Sequence, residues 1–152
     1  MTAAPVDLAD YRSIYLHPDR LLSTVVIERD DEVIGDVLVR VEDGWAQREA
    51  EPGATGVQAE LGWTLDPAHC GHGYATEAVR AVVDLCFGPL RLRRVHAGCF
   101  ADNVPSWRLM ERIGMRRELH AVRESLHRNR GWLDGYGYAL LAEEWRGHSA
   151  DR

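Results

Sequence analysis

The twelve residues from Asp66 to Glu77, Asp-Pro-Ala-His-Cys-Gly-His-Gly-Tyr-Ala-Thr-Glu, constrain this chain more than any other stretch. A short apolar strand, Leu61 to Leu65, runs into a loop that holds Gly71 and Gly73, and an amphipathic helix begins at once. Glycine lets a backbone approach a ligand closely, and the first turn of a helix has N–H groups without intrahelical partners at the positive end of its dipole. Strand, loop and helix start together make an anion cradle, whose expected guest is a phosphate or pyrophosphate. The other reading is an ordinary strand-to-helix turn in which Gly supplies positive φ. The spacing does not match two other common cradles. No Lys-Ser/Thr follows the second Gly, as a P-loop requires, and no third Gly stands three residues on, as a dinucleotide fingerprint requires.

A length of 152 residues predicts a single domain over 1–152 with one sizeable core. Apolar content of 45% and charged content of 28% fit a soluble globular protein. No apolar run reaches the length of a membrane span, and Met-Thr-Ala-Ala-Pro at the start lacks a charged-then-apolar signal, so a cytoplasmic location is expected. Cys70, Cys86 and Cys99 form an odd, unpatterned set that reads as reduced thiols. The net charge of −6 argues against nucleic acid as a partner and suits a cationic or amine substrate, although solubility accounts for it equally well. Arg91, Arg93 and Arg94 read as a solvated strand end before a phosphate contact.

Along the chain, Asp7 is placed to cap a short helix carrying Leu8, Tyr11, Ile14 and Tyr15 at helical spacing. Thr24 to Arg29 and Val33 to Val41 read as a hairpin around Asp30-Asp31-Glu32, with Gly35 marking a bulge or a close backbone contact. Glu42 to Gly56 is polar and reads as a mobile connection. Val57 to Leu65 is the next strand, with Leu61, Trp63 and Leu65 on one face and Glu60, Gly62 and Thr64 on the other. Ala75, Ala78, Val79, Val82, Val83 and Cys86 form the buried stripe of the following helix, which Gly88-Pro89 ends. Arg94 to Phe100 is a nearly continuous apolar run, as for a buried strand. Asn103 caps a second helix with Leu109, Met110 and Ile113 inside, and Gly114 stops it. Met115 to Leu126 and Trp132 to Ala142 complete a C-terminal hairpin turning at 127–131. The order is mixed α/β, with a β-α-β unit of right-handed crossover at its centre.

These residues resemble the GNAT superfamily of N-acetyltransferases, and most of all its RimJ/RimL-like branch of ribosomal-protein alanine N-acetyltransferases. The family's acyl-CoA loop reads Gln/Arg-x-x-Gly-x-Gly/Ala; the matching part is Cys70-Gly71-His72-Gly73-Tyr74-Ala75, followed by Thr76-Glu77-Ala78. The strand Ala59 to Pro67, the run Asn103-Val104-Pro105-Ser106, the run Glu111 to Glu118, and the ending Gly131-Trp132-Leu133-Asp134 through Trp145 fit the same branch. The likeness covers roughly residues 24 to 146. It implies a mixed, mostly antiparallel sheet with a central β-α-β acyl-CoA-binding unit, splayed strands and flanking helices. Three departures stand out. The Gln/Arg at the loop start is absent and Cys70 directly precedes Gly71. The family's first strand is not recognised in residues 1–20. Met110, which cannot donate a proton, occupies the position where many relatives carry a tyrosine acid.

The resemblance implies acetyl transfer from acetyl-CoA, as cosubstrate, to a primary amine by direct transfer in a ternary complex, with no metal. The amine must be neutral to attack, the oxyanion needs donors, and the thiolate needs a proton or a positive environment. Glu60 is the candidate base, as a partly desolvated carboxylate with a raised pKa that takes the ammonium proton through water; a solvated strand carboxylate is the plain reading. Ser106 is the candidate donor near the thiolate, against a capping or packing hydroxyl. Asn103 caps its helix and, on the resemblance, contacts the pantetheine arm. Trp63, Thr64 and Leu65 are expected to pair with the pantetheine through their backbone groups, and Cys70, Gly71, His72, Gly73, Tyr74, Ala75 and Thr76 to hold the phosphates. His69-x-x-His72 lacks a Cys or carboxylate pattern to complete a metal site and reads as loop surface. Cys99 reads as packing, and Trp45, Trp132 and Trp145 as core or interface anchors, consistent with a homodimer. A non-catalytic acyl-CoA-binding sensor on the same fold is the alternative from another class, kept open by the missing tyrosine. A nucleotide-dependent enzyme would need Lys or Mg²⁺-binding carboxylates at the cradle. Neither a protein N-terminus nor a small amine is singled out as acceptor.

Overall fold

Asp30 and Asp31 both hold positive φ, at 51° and 64°. That is the backbone of a two-residue hairpin turn whose twist suits its flanking strands. They join β1 (Thr24–Arg29) to β2 (Glu32–Glu42) in an antiparallel pair. The computed structural model describes residues 23–149, together with positions 9 and 18, and side chains as far as Trp145. The helix expected after Asp7 lies outside the described residues.

Both readings of Gly35 hold. Ile27 pairs with Gly35 while Glu28 pairs with Val33, so Ile34 is the extra residue of a bulge. On its other side Gly35 meets β3 (Gln58–Leu65), where a Cβ would sit 2.3 Å from the Thr64 carbonyl oxygen. β2 and β3 pair from Glu42 opposite Gln58 to Gly35 opposite Leu65. The polar connection between them is less featureless than its sequence suggests. It carries a 3-10 turn at Arg48–Gly53, and its base is tied by Gly44 N–H to the Ala54 carbonyl at 2.7 Å and Gly56 N–H to Asp43 Oδ1 at 2.8 Å.

Helix α1 (Tyr74–Phe87) buries Val79, Val82, Val83 and Cys86, the stripe that its spacing predicts, and hands the chain to β4 (Arg94–Phe100), parallel to β3. Helix α2 (Val104–Arg112) follows, with Leu109, Met110 and Ile113 buried. Gly114, at φ 91°, ends it; the Met115 N–H bonds back to the Met110 carbonyl at 3.0 Å and Met115 folds into the core. β5 (Arg116–His127) and β6 (Gly131–Leu141) form the last hairpin, and α3 (Ala142–Ser149) closes the described chain. The six strands form one sheet in the order β1-β2-β3-β4-β6-β5, antiparallel except between β3 and β4.

The core lies between one sheet face and the helices. Val37, Leu61, Val95, Ala97 and Leu140 from the sheet meet Val79, Val83 and Met110 from α1 and α2. Full burial of each larger aliphatic contributes about 1.5–3 kcal/mol. β4 is not buried on both faces, as its apolar run suggests. Val95, Ala97 and Cys99 are buried, whereas Arg94, His96, Gly98 and Phe100 face a more open side. Of the expected tryptophan anchors only Trp145 is in the core, its indole N–H donating to Asp84 Oδ1 of α1 at 2.7 Å. Trp45 and Trp132 are exposed, at 91% and 60%, because the loop and the strand end that carry them project from the sheet.

The close approach at Gly35 gives the first prediction. Gly35→Ala places a methyl group against a carbonyl that the β2–β3 ladder holds fixed. Urea unfolding should show a loss of about 1–3 kcal/mol, the usual range for forced overpacking; an unchanged midpoint would mean that the strands part freely there.

Candidate active site

Parallel pairing between β3 and β4 lasts three positions: Gln58 with Arg94, Ala59 with Val95 and Glu60 with His96. Beyond that last rung β3 stays with β2 as far as Leu65, and β4 stays with β6 as far as Phe100. The two strands part. Glycines stand two residues past the last rung on each strand, Gly62 and Gly98, so no side chain fills the gap from either position. A Cβ would fit at both, with nearest contacts of 3.8 Å and 3.5 Å, so the missing side chains serve the opening more than the packing.

The gap opens into a cleft of about 940 Å³. Glu60, Trp63, Thr64, Asn103 and Ser106, five of the residues selected from sequence, line it together. Leu65 ends β3 just beyond. The remaining selected residues, Cys70 to Thr76, form the turn from β3 into α1 and are not part of that lining. Asp66 caps a short 3-10 turn by accepting from Ala68 N–H at 2.8 Å, and the chain then passes Gly71 and Gly73, at φ 82° and 86°. Positive φ explains both glycines locally. However, a Cβ at either would meet nothing within 4 Å, so the space above the turn is also open. Gly73 is the N-cap of α1 and has no side chain to satisfy the first N–H groups, which remain for an anion.

The turn is braced from outside the cleft. The Tyr74 ring stacks on His72 at 5.7 Å and carries the Arg29 guanidinium at 5.0 Å on its surface. Thr76 Oγ1 accepts from Arg112 Nη1 at 2.9 Å, and Arg80 Nη2 donates to the Arg112 carbonyl at 3.2 Å, which ties the start of α1 to the end of α2. Cys70 is exposed, its thiol toward the Asp66 carbonyl at 3.7 Å.

Glu60 is half-buried and is paired with Arg40, its cross-strand neighbour on β2. Arg40 also bonds Glu42 Oε1 through Nε at 3.0 Å, and Glu42 Oε2 meets His96 Nε2 at 3.1 Å. Burial pushes the Glu42 carboxyl up, but the hydrogen bonds and charges of His96 and Arg40 outweigh it and hold the group below its usual value. Glu60 therefore belongs to a polar cluster at the root of the gap, with Oε1 unpartnered among the described residues. Asn103 caps α2, its Oδ1 accepting from Ser106 N–H at 3.4 Å. The Ser106 hydroxyl makes no hydrogen bond among the described residues. Met110 is fully buried and lies away from the cleft. Tyr138 does not take its place: its hydroxyl is committed to Glu111 Oε1 at 2.9 Å, and burial with that bond pushes it up to about 12. Burial, with the Asp102 charge, pushes the Cys99 thiol up to about 11, which suits packing and not nucleophilic attack.

Sequence reading did not select Arg40, Phe100, Asp102, His127, Arg128 or Arg130, all of which line the cleft. Arg40 was findable, because strand alternation and hairpin register put it beside Glu60. The others come from the end of β5 and its turn into β6, and from the end of β4 and its connection to α2, which only the folded sheet brings together.

Comparison with known proteins agrees with this geometry. The model of the acetyltransferase (GNAT) domain family matches residues 5–116. A curated relative named Uncharacterized N-acetyltransferase YnaD, from Bacillus subtilis (strain 168), is 41% identical over 86 residues, which is 57% of this chain and 50% of that protein. The chain thus spans about half the length of this relative. The crystal structure of a GNAT-family acetyltransferase from Bacillus anthracis superposes with a TM-score of 0.64 at 32% identity, over 80% of this chain and 68% of that one. A spermidine N-acetyltransferase, SpeG, from Vibrio cholerae shares the fold at a TM-score of 0.68 and 20% identity, over 93% of this chain and 78% of that one. With its sheet parted beside a glycine-bounded helix start and its sequence matched along most of its length, the chain belongs to the GNAT acetyltransferase family.

Proposed function

We propose that this chain is an N-acetyltransferase that moves an acetyl group from acetyl-CoA to a primary amine, either a protein N-terminus or a small molecule, by direct transfer in a ternary complex. The observation that carries the reading is a gap in the sheet lined by Glu60 and Ser106, bounded by the strand that runs on into an uncapped helix start at Gly73. A thioester on a long phosphorylated arm needs both. The first N–H groups of α1 receive the pyrophosphate over Gly71 to Thr76. Trp63, Thr64 and Leu65 offer the backbone that β4 has left and pair with the pantetheine as an added strand would. Asn103, beyond its capping role, turns its amide toward the same arm.

The acceptor arrives as an ammonium ion. Glu60 takes one proton from it, directly or through water, and the neutral nitrogen attacks the thioester carbonyl. The C–N bond forms, the C–S bond breaks, and the proton that the acylated nitrogen sheds passes through the Ser106 hydroxyl to the departing sulfur, so that Ser106 ends as it began. Arg40 holds one oxygen of Glu60 and so orients the base. The reading extends to a single domain in the cytoplasm and, on the motifs of the loop and the second helix, to the RimJ/RimL-like branch. It also extends to a homodimer, because Trp132 is exposed on the C-terminal hairpin. A single monomer-sized species in light scattering at high concentration would remove the dimer.

Two experiments address the chemistry. Gly73→Val puts a branched side chain where the pyrophosphate is to lie and strains a backbone at φ 86°. Calorimetry should show acetyl-CoA affinity lost in a variant whose circular dichroism is unchanged; retained affinity would sink the cradle. Acetyl-CoA thiol release over an amine panel, with mass detection of product, tests the machinery. Glu60→Gln should lower kcat by about 10²–10⁴ with acetyl-CoA affinity kept. Ser106→Ala should lower kcat by one to a few orders of magnitude with little change in Tm, as for loss of one preorganised donor. Full activity with a loss of about 1 kcal/mol in stability would assign Ser106 to the helix end alone.

A further inference from the structure

The acidic composition of the chain invites a cationic acceptor, but the cleft does not share that balance. Its lining carries three carboxylates, Asp36, Glu60 and Asp102, and three arginines, Arg40, Arg128 and Arg130. The acids are all engaged. Arg40 pairs with Glu60, Arg130 pairs with Asp102, and Asp36 also has a partner. Arg128 is the one charged side chain of the lining that has no partner among the described residues.

Its position is held by the fold. Arg128 sits in the turn between β5 and β6, and three links bind that end of the hairpin to the chain leaving β4. Arg130 Nη1 meets Asp102; the His127 ring lies edge-on to Phe100 at 5.3 Å; and the Ala101 N–H donates to the Asp134 carbonyl at 2.9 Å. The turn is thereby fixed against the segment that carries Asn103 and Ser106, on the side of the cleft opposite Glu60's own strand.

We propose that Arg128 selects the acceptor, and that the acceptor is an amine carrying a carboxylate, either a free amino acid or a peptide with an acidic residue beside its N-terminus. This rests on the acetyltransferase reading above and names its substrate class. An unpaired guanidinium facing the cleft attracts an anionic group and repels a second ammonium, while no unengaged carboxylate waits for a polycation. The remote carboxylate is anchored at Arg128 and the amine is left near Glu60. Arg130 acts through the turn as a positioning residue.

The test compares matched acceptors with the intact protein and acetyl-CoA: alanine against alanine amide, a Ser-Glu against a Ser-Lys peptide, both C-terminally amidated, and spermidine as the polycation. The acid-bearing member of a pair should be favoured about tenfold in kcat/KM, which corresponds to about 1.4 kcal/mol. Preference in the first pair alone assigns a free amino acid, and in the second alone a peptide. Arg128→Glu should reverse the preference, mainly through KM, with acetyl-CoA affinity by calorimetry unchanged, and Arg128→Lys should restore part of it. Spermidine or the neutral members acetylated at least as well as the acidic ones, with Arg128→Glu making no difference, overturns this inference and leaves the acetyltransferase reading standing. No transfer to any amine by a protein that binds acetyl-CoA overturns both.

Discussion

Everything at the candidate site depends on the β3–β4 pairing ending at Glu60 and His96. A parallel ladder carried to the ends of both strands would bury the backbone of Trp63 to Leu65 against β4 and leave no room between them. Outer partners make early parting tolerable. β2 keeps β3 in register and β6 keeps β4, so each strand retains a full ladder on one side while losing it on the other. Unpaired backbone groups must find partners or water, so a parted interior sheet is a standing demand for a guest with amides of its own. The chain meets that demand where the first N–H groups of α1 are also unsatisfied.

Electrostatics at the gap is built from pairs that cross between elements. Arg40 links β2 to β3, the contact of His96 with Glu42 links β4 to β2 across the strand between them, and Arg130 links the last hairpin to the β4–α2 connection. Surface pairs of this kind add little to stability. Their effect here is positional: each ties together elements that border the cleft. The contact of His96 with Glu42 crosses the root of the gap, while the other two pairs each stiffen one of its walls.

Much of this was legible in the sequence because it is local. Asp30-Asp31 and Gly114 punctuate their elements at positive φ, Gly35 admits the close approach of β3, Gly88 ends α1, and the α1 stripe is a plain helical period. Of the six residues selected on β3 and at the start of α2, all but Leu65 line the cleft, because strand direction and helix start fix where they lie. What was not legible depends on register and on chain crossings. Arg40 is an ordinary strand arginine until it is known to stand opposite Glu60. Arg128 and Arg130 are ordinary turn residues until β6 brings them to the end of β4. Bulges in β5, between Arg117 and Leu119 and between Ala121 and Ser125, shift its register by amounts that no alternation reveals. Helix α3 escaped notice because eight residues with Gly147 among them carry too little periodicity to stand out.

The short run of β3–β4 contacts also divides the sheet into two half-sheets, β1-β2-β3 and β4-β6-β5, joined by three rungs and by the helices packed across them. A molecule that paired with β3 in the gap, as proposed for the pantetheine, would act as a splice between the halves. Binding to the folded state alone stabilises it by mass action, about 2.7 kcal/mol at a hundred times the dissociation constant. On that reading the cohesion of the domain is partly borrowed from its guest, and its resistance to unfolding becomes a reading of how much of that guest its surroundings hold.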